Sequence, residues 1–365
     1  MAALQQSGVI ELPAHTARPR VPSLDGLRAI SIVLVIFSHA VGTQGFPITV
    51  THVATAELGV RVFFIISGYL ISLLLFAEQE RHGQISLLKF YYRRGFRIFP
   101  AFYTMIAIIA LLAALDVLVL GRNDVLFAVT YTTNYHYPRS WNLGHLWSLA
   151  VEEQFYLLWP ATLLLVGRRR GLWAAAIFVG LSPLIRIATL RGYLPQPELI
   201  GETFQTIGDS IAVGCLLAGL RHRLDASIWY KRFTSSPAFL LVPGIVVASL
   251  WAFRMPTIDY AVAQPASNIA IALIIHWAVM NHDGVVGRIL NFRPVVFVGT
   301  LSYSLYLWQQ LFINRHNTAL YCRFPFNVGC AFAVGAASFY FIEQPMLRLR
   351  ERFEPRLFAQ PKQGT

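Results

Sequence analysis

The stretch NLGHLWSLAVEEQFYLLWP, Asn142–Pro160, decides how this chain is read. Its apolar run continues through Ala161–Val166 and so reaches the roughly 20 residues that a helix needs to cross a bilayer. Yet it carries His145 near its start and the adjacent pair Glu152 and Glu153 in its body. A charged side chain at mid-bilayer costs about 2.5–3.5 kcal/mol on the gentlest scale, so such residues do not face lipid. At about 100° per residue, counted from His145, the residues Ser148, Glu152, Tyr156 and Trp159 share its helix face, and Glu153 is offset by about 80°. The spacing predicts His145 at the outer mouth of a cavity and Glu152 about 10 Å deeper. Glu153, off the stripe, is expected to pack against a neighbouring helix.

The composition agrees with a membrane setting. The chain has 365 residues, of which 56% are hydrophobic and only 13% charged, with a mean hydropathy of +0.53. A soluble domain carries about 25% charged residues. The net charge is +12, but the basic residues sit in short clusters between apolar runs, which is a topology signal rather than a nucleic-acid groove. Cys215, Cys322 and Cys330 have no metal-type spacing, and neither a metal site nor a detachable leader is expected.

Apolar runs of helical length lie near 24–43, 58–77, 98–120, 146–167, 172–190, 203–220, 238–254, 260–280, 295–315 and 324–342. They predict an all-α, polytopic integral membrane protein with about ten transmembrane helices. Asn123–Tyr137 is short and polar at its end. If it is external or re-entrant, the clusters Arg18/Arg20, Arg81–Arg97, Arg168–Arg170, Arg221–Arg232, Arg288/Arg293 and Arg348–Lys362 share one side. That side is then the cytoplasm, with both termini in it. The expected organisation is a cytoplasmic N-terminal segment (1–23), a transmembrane domain (24–345) and a basic cytoplasmic tail (346–365), with no internal repeat.

A second polar focus lies in LDGLRAISIVLVIFSHA, Leu24–Ala40, where Arg28 and His39 are about three turns apart on one face, with a rise of roughly 16 Å between them. Histidine is a usable base near neutral pH, and a carboxylate can hold its ring. The two helices run in opposite directions, so His39 and Glu152 are expected at similar depth. A structural His39 bonded across helices and a structural Glu152 ion pair are the plain alternatives. Glu57 and Arg61 are spaced to pair with each other, and Gly214 and Gly219 read as helix-packing positions. Asp209, His276 and Arg186 are buried polar residues to which the spacing gives no role. A third focus is FYYRRGFRIFPAFY, Phe90–Tyr103. Arg93, Arg94 and Arg97 either mark the cytoplasmic side or form a phosphate site for a cytoplasmic donor, since arginine forks match phosphate oxygens.

Together these foci resemble the membrane-bound acyltransferase-3 family, bacterial proteins that O-acylate sugars of lipopolysaccharide, exopolysaccharide and related glycans. The resemblance rests on LDGLRAISIVLVIFSHA, GVRVFFIISGYLIS, FYYRRGFRIFP, GHLWSLAVEEQFYLLWP, LSYSLYLWQQ and FIEQP, in the family's order from about Leu24 to Pro345. It implies a ten-helix core in the bacterial inner membrane. It also implies transfer of an acyl group, commonly acetyl, from acyl-CoA to a hydroxyl of a glycan or lipid-linked glycan, with no permanently bound cofactor. The family's arginine–histidine motif maps onto Arg28 and His39, its serine–glutamate–tyrosine motif onto Ser148, Glu152 and Tyr156, and its basic loop onto Arg93, Arg94 and Arg97. Where several relatives have histidine, this chain has Gln309. Many relatives also carry a hydrolase-like domain after the core.

The resulting expectation places donor phosphates on Arg28, Arg93, Arg94 and Arg97. His39 is the general base, Glu152 holds it, and His145 positions the acceptor or acts as a second base. Ser148, Tyr156 and Trp147 line the substrate path. Direct transfer and an acyl-histidine intermediate both fit. The rival readings are a proton-coupled transporter using His39, Glu152 and Asp209, and a non-catalytic assembly subunit. Lipid and acyl-CoA are expected partners, and nucleic acid is not.

Overall fold

The computed structural model describes residues 21–47 and 55–358. The expected N-terminal segment up to residue 20, with Arg18 and Arg20, and the end of the basic tail, with Lys362, lie outside the described residues. Among the described residues the chain is helical and has no β-strand. The main helices are α1 (Leu24–Ala40), α2 (Thr55–His82), α3 (Leu87–Ala114), α4 (Leu146–Leu190), α5 (Asp209–Ala226), α6 (Leu241–Ser249), α7 (Gln264–Met280), α8 (Arg293–Phe312), α9 (Phe326–Ser338) and α10 (Gln344–Leu357).

Helices fall on all ten apolar runs, but fewer are long and apolar enough to cross a membrane. Among the described residues five qualify, namely Thr55–His82, Leu87–Ala114, Trp141–Leu190, Pro256–Met280 and Phe326–Leu357. The pair Ile228–Thr234 and Pro237–Ser249, bent by 71°, makes a sixth. The shortfall from ten has local causes. α1 has only 17 residues, α5 carries Asp209, Arg221, Arg223 and Asp225, and α8 is diluted by Ser302, Ser304, Gln309 and Gln310. Leu146–Leu190 counts once, although Gly167 breaks it with φ 78° and ψ 166°, a backbone conformation suited to glycine. Arg168–Arg170 follow the break, and the two halves match the separate runs read near 146–167 and 172–190. Leu157, Leu165, Trp173, Ile177 and Leu184 point outward from α4, as a lipid-facing wall requires and a water-facing one disfavours.

α2 runs through the middle of the fold and packs most extensively on α5. The two backbones meet at Gly68 and Gly214, where an added Cβ would collide with the carbonyl oxygens of Ile211 and Ile65. Small residues at a crossing let helices approach closely where no hydrophobic driving force separates lipid from protein. Next to this crossing lies the polar set whose role the sequence left open. Buried Arg186 pairs with Asp209 and donates to Gln264 at 2.9 Å. Arg61 pairs with Glu57 at 2.7 Å and donates to Asn268 at 3.1 Å, so the expected Glu57–Arg61 pair forms and extends inward. His276 lies 3.1 Å from Asp225 and 2.9 Å from the Tyr230 hydroxyl. These groups pair with one another rather than face lipid, the arrangement that makes buried charge tolerable.

Asn123–Tyr137 forms only the short helix Asp124–Val129 and a turn at Thr133–Tyr135. It is fastened by Asp124, which accepts from the backbone N–H groups of Gly121 at 2.7 Å and Ser140 at 3.0 Å and from His136 Nε2 at 2.9 Å. Burial alone would raise the Asp124 carboxyl, but its bonds with Ser140, Gly121 and His136 hold it below the ordinary carboxylate range. The three cysteines are free.

Candidate functional site

Two polar centres emerge, not one. The first borders a cavity of about 730 Å³ lined by His39, Trp141, His145, Trp147, Arg139 and Tyr306, among others. That volume lies in the range of small-molecule sites. α1 packs along α8, and this brings His39 Nδ1 to 3.1 Å from Gln309 Oε1. With the amide oxygen facing it, Nδ1 carries the ring hydrogen and the lone pair is on Nε2. Nε2 has no protein partner among the described residues, and Trp141 stands edge-on to the ring at 5.5 Å. The cavity wall thus presents an oriented basic nitrogen.

His145 is placed differently. Its Nδ1 lies 2.8 Å from Gln310 Oε1 and its Nε2 3.0 Å from the Leu307 carbonyl, so both ring nitrogens are occupied. It fastens the start of α4 to the end of α8. Ser148 is part of the same joint, with its Oγ 2.6 Å from the Tyr306 hydroxyl, which donates to the His145 carbonyl at 2.9 Å. Trp147 lines the cavity and meets Phe64 edge-on at 6.3 Å.

The second centre gathers α2, α3 and α4. Glu152 Oε1 accepts from Ser67 Oγ and from the Tyr156 hydroxyl. Arg94 lies 3.9 Å from Glu152 and 3.4 Å from Glu153 and sits over the Tyr156 ring at 3.2 Å. The Arg94, Glu152 and Glu153 side chains keep 22%, 19% and 16% of their surface exposed. Glu153 does pack on a neighbouring helix, but as the nearer of two carboxylates facing one arginine.

The structure brings Glu152 and Tyr156 together with Arg94 and does not put Glu152 behind His39. Gln309 holds that place. The helical rise fixes how deep a residue lies but not which neighbour it faces. Arg28 pairs with Asp25 at 3.6 Å at the start of α1. Arg93 pairs with Glu354 of α10, and Arg97 is exposed on α3. Arg93 and Arg94 therefore already face carboxylates. His39, Glu152 and Asp209, the three groups of the transporter reading, belong to three separate hydrogen-bond sets. Ser67, Gln310 and Tyr306 were not singled out by sequence, and Gln309 was noted only as a departure from its relatives. Their only signal was polar side chains inside apolar runs, in FIISGYL and LSYSLYLWQQ.

The acyltransferase domain family matches residues 21–340, and the chain belongs to it. It is 30% identical to the peptidoglycan O-acetyltransferase OatA of Listeria monocytogenes, over 90% of this chain and 56% of that protein. It is 28% identical to the O-acetyltransferase OatA of Staphylococcus aureus, over 81% of this chain and 51% of that one. The chain thus spans about half the length of the curated relatives it matches. No solved structure matches it.

Proposed function

We propose that this family member is a multi-pass O-acyltransferase of a bacterial inner membrane, with ten crossings and both termini in the cytoplasm. It moves an acyl group, acetyl by analogy with its relatives' names, from acyl-CoA to a hydroxyl of a cell-surface glycan, with peptidoglycan the first acceptor to test. The observation that carries this reading is the His39–Gln309 pair at the edge of the cavity. His39 Nε2 takes the proton of the acceptor hydroxyl as that oxygen attacks the thioester carbonyl. The C–S bond breaks, and the thiolate leaves and takes the proton back from Nε2 as the free thiol. Gln309 accepts from Nδ1–H throughout and keeps the ring in the productive tautomer.

Arg28, Arg93, Arg94 and Arg97 are the proposed contacts for the donor's phosphates. The support is chemical: arginine forks fit phosphate oxygens, and Arg94 keeps part of its surface exposed. Glu152 keeps Arg94 and Tyr156 in place, and His145 and Ser148 position the cavity wall rather than transfer protons. Ser148, Tyr156 and Trp147 border the donor's path.

The test is release of free CoA from acetyl-CoA by the purified chain in nanodiscs, with and without peptidoglycan fragments. His39→Ala is expected to lower glycan-dependent turnover by about 10²–10⁴-fold at unchanged melting temperature. Glu152→Gln is expected to act chiefly on the KM for the donor. Full turnover by His39→Ala overturns the reading. Labelled acetyl retained on acid-quenched protein and absent from His39→Ala replaces direct transfer by an acyl-histidine intermediate at the same nitrogen.

A further inference from the structure

The last helix carries a pattern that acyl transfer does not use. α10 reads QPMLRLRERFEPRL, Gln344–Leu357. Arg348, Arg352 and Arg356 are spaced four apart, and so are Leu349, Phe353 and Leu357, each one residue further along. At this spacing the two sets form parallel stripes, one turned about 100° from the other. Both are exposed, with Leu349, Phe353 and Leu357 at 37%, 41% and 62%.

The other face of α10 is already occupied. Glu354 pairs with Arg93 of α3, and Arg350 Nε lies 3.5 Å from Glu354. Phe358 meets the Tyr92 ring at 5.5 Å, and Glu351 borders a small cleft with Lys89. Glu354 is thus turned toward α3, Glu351 stands exposed at the edge of that face beside Arg350, and the arginine and leucine–phenylalanine stripes leave the outward face basic and apolar. Arg352 and Arg356 have no ion-pair partner among the described residues.

Length places this face near the membrane surface. The candidate span Phe326–Leu357 has 32 residues, about 48 Å of helix against a hydrocarbon core of about 30 Å. Its final turns, where the arginines begin, therefore reach the headgroup layer. An arginine stripe beside a leucine–phenylalanine stripe at that level matches the boundary between lipid phosphates and acyl chains.

We propose that the outward face of α10 is a binding surface for anionic phospholipid. Arg348, Arg352 and Arg356 reach headgroup phosphates while Leu349, Phe353 and Leu357 enter the acyl region. Through Glu354 the same helix holds Arg93, so one element joins the lipid surface to the arginine-bearing part of α3. This surface stands whether or not the chain transfers acyl groups.

The test uses the full chain with its native cysteines replaced by alanine and bimane attached at Phe353→Cys or, on the other face, at Glu351→Cys. Nanodiscs contain phosphatidylcholine alone or with one third phosphatidylglycerol, and quenching by brominated acyl chains is compared with quenching by iodide. The Phe353 label is expected to be quenched by brominated lipid more strongly when phosphatidylglycerol is present and to lose that gain in high salt, whereas the Glu351 label is reached by iodide. Each arginine at an anionic surface strengthens docking about fivefold, so Arg348→Gln, Arg352→Gln and Arg356→Gln together weaken it on the order of 100-fold. Iodide access to Phe353→Cys that ignores phosphatidylglycerol and salt overturns the proposal. So does shielding from both quenchers, which identifies a protein cover instead. The salt titration needs no change in the arginine stripe, so it stands even if the triple variant fails to fold.

Discussion

The hydrogen bond between His39 and Gln309 makes a quantitative claim about Gln309→Leu. Gln309 is fully buried, its Oε1 meets His39 Nδ1 at 3.1 Å, and its Nε2 has no partner. Leucine removes the acceptor and, with it, the orphaned amide N–H. Losing a neutral hydrogen bond and leaving Nδ1–H unpaired together cost about 1–3 kcal/mol, which is roughly a 5- to 160-fold fall in turnover if the bond orders the base in the transition state. Stability should fall by less than that amount, because the newly unpaired Nδ1–H is offset in part by removal of a buried unsatisfied amide. The assay is glycan-dependent CoA release with melting temperature measured in parallel. kcat is expected to fall while KM for both substrates holds. In a His39→Ala background, Gln309→Leu should cost nothing further, since the two groups act as one unit. Turnover equal to wild type in Gln309→Leu, or full additivity with His39→Ala, would refute the idea that Gln309 orients the base.

Two other outcomes follow from buried and external charge. Asp209→Leu leaves Arg186 uncompensated in an interior site and should lower stability by about 3–5 kcal/mol in thermal unfolding, with most of the loss recovered by adding Arg186→Met; an unshifted transition in Asp209→Leu would sink this account of the α4–α5 joint. At Asp124 the folded-state carboxyl titrates below its unfolded value. Its contribution is therefore full above about pH 4 and lost as pH falls through the folded value. Protection of residues 121–140 against hydrogen exchange, corrected for the intrinsic pH dependence of the amides, should fall on acidification in the parent, while Asp124→Asn should already be poorly protected at pH 7 and change little in acid. Equal exchange in parent and variant at pH 7 would count against this clasp.

What the sequence made legible was local or strongly periodic. Glu57 and Arg61 find each other because one helical turn separates them, and the break after Val166 is announced by a glycine followed by three arginines. The ten apolar runs located helices, of which five or six among the described residues are long and apolar enough to cross a membrane by themselves; α1 is too short, α5 and α8 carry polar side chains that lean on protein partners, and two runs fall on one helix broken at Gly167. The pairing of His39 with Gln309 was not legible, since the two lie 270 residues apart and only the docking of α1 on α8 joins them. The expected His39–Glu152 pair missed for a related reason. Equal depth on two helices does not make neighbours, and Glu152 turns to Ser67 and Arg94 instead. This separation constrains any mechanism more than either centre does alone. The oriented base lies at the cavity and the carboxylate-held arginine lies in the other set. Tyr306 and Ser148 occupy the joint between α4 and α8, next to Phe63 at 6.5 Å from the Tyr306 ring. A donor with a charged head and a long thin arm suits two such centres, its phosphates anchored at Arg94 and its thioester carried to His39. A compact donor that fills only the cavity would leave the Arg94 group without a role in catalysis, so the dependence of KM on Arg94 for donors of different length distinguishes the two.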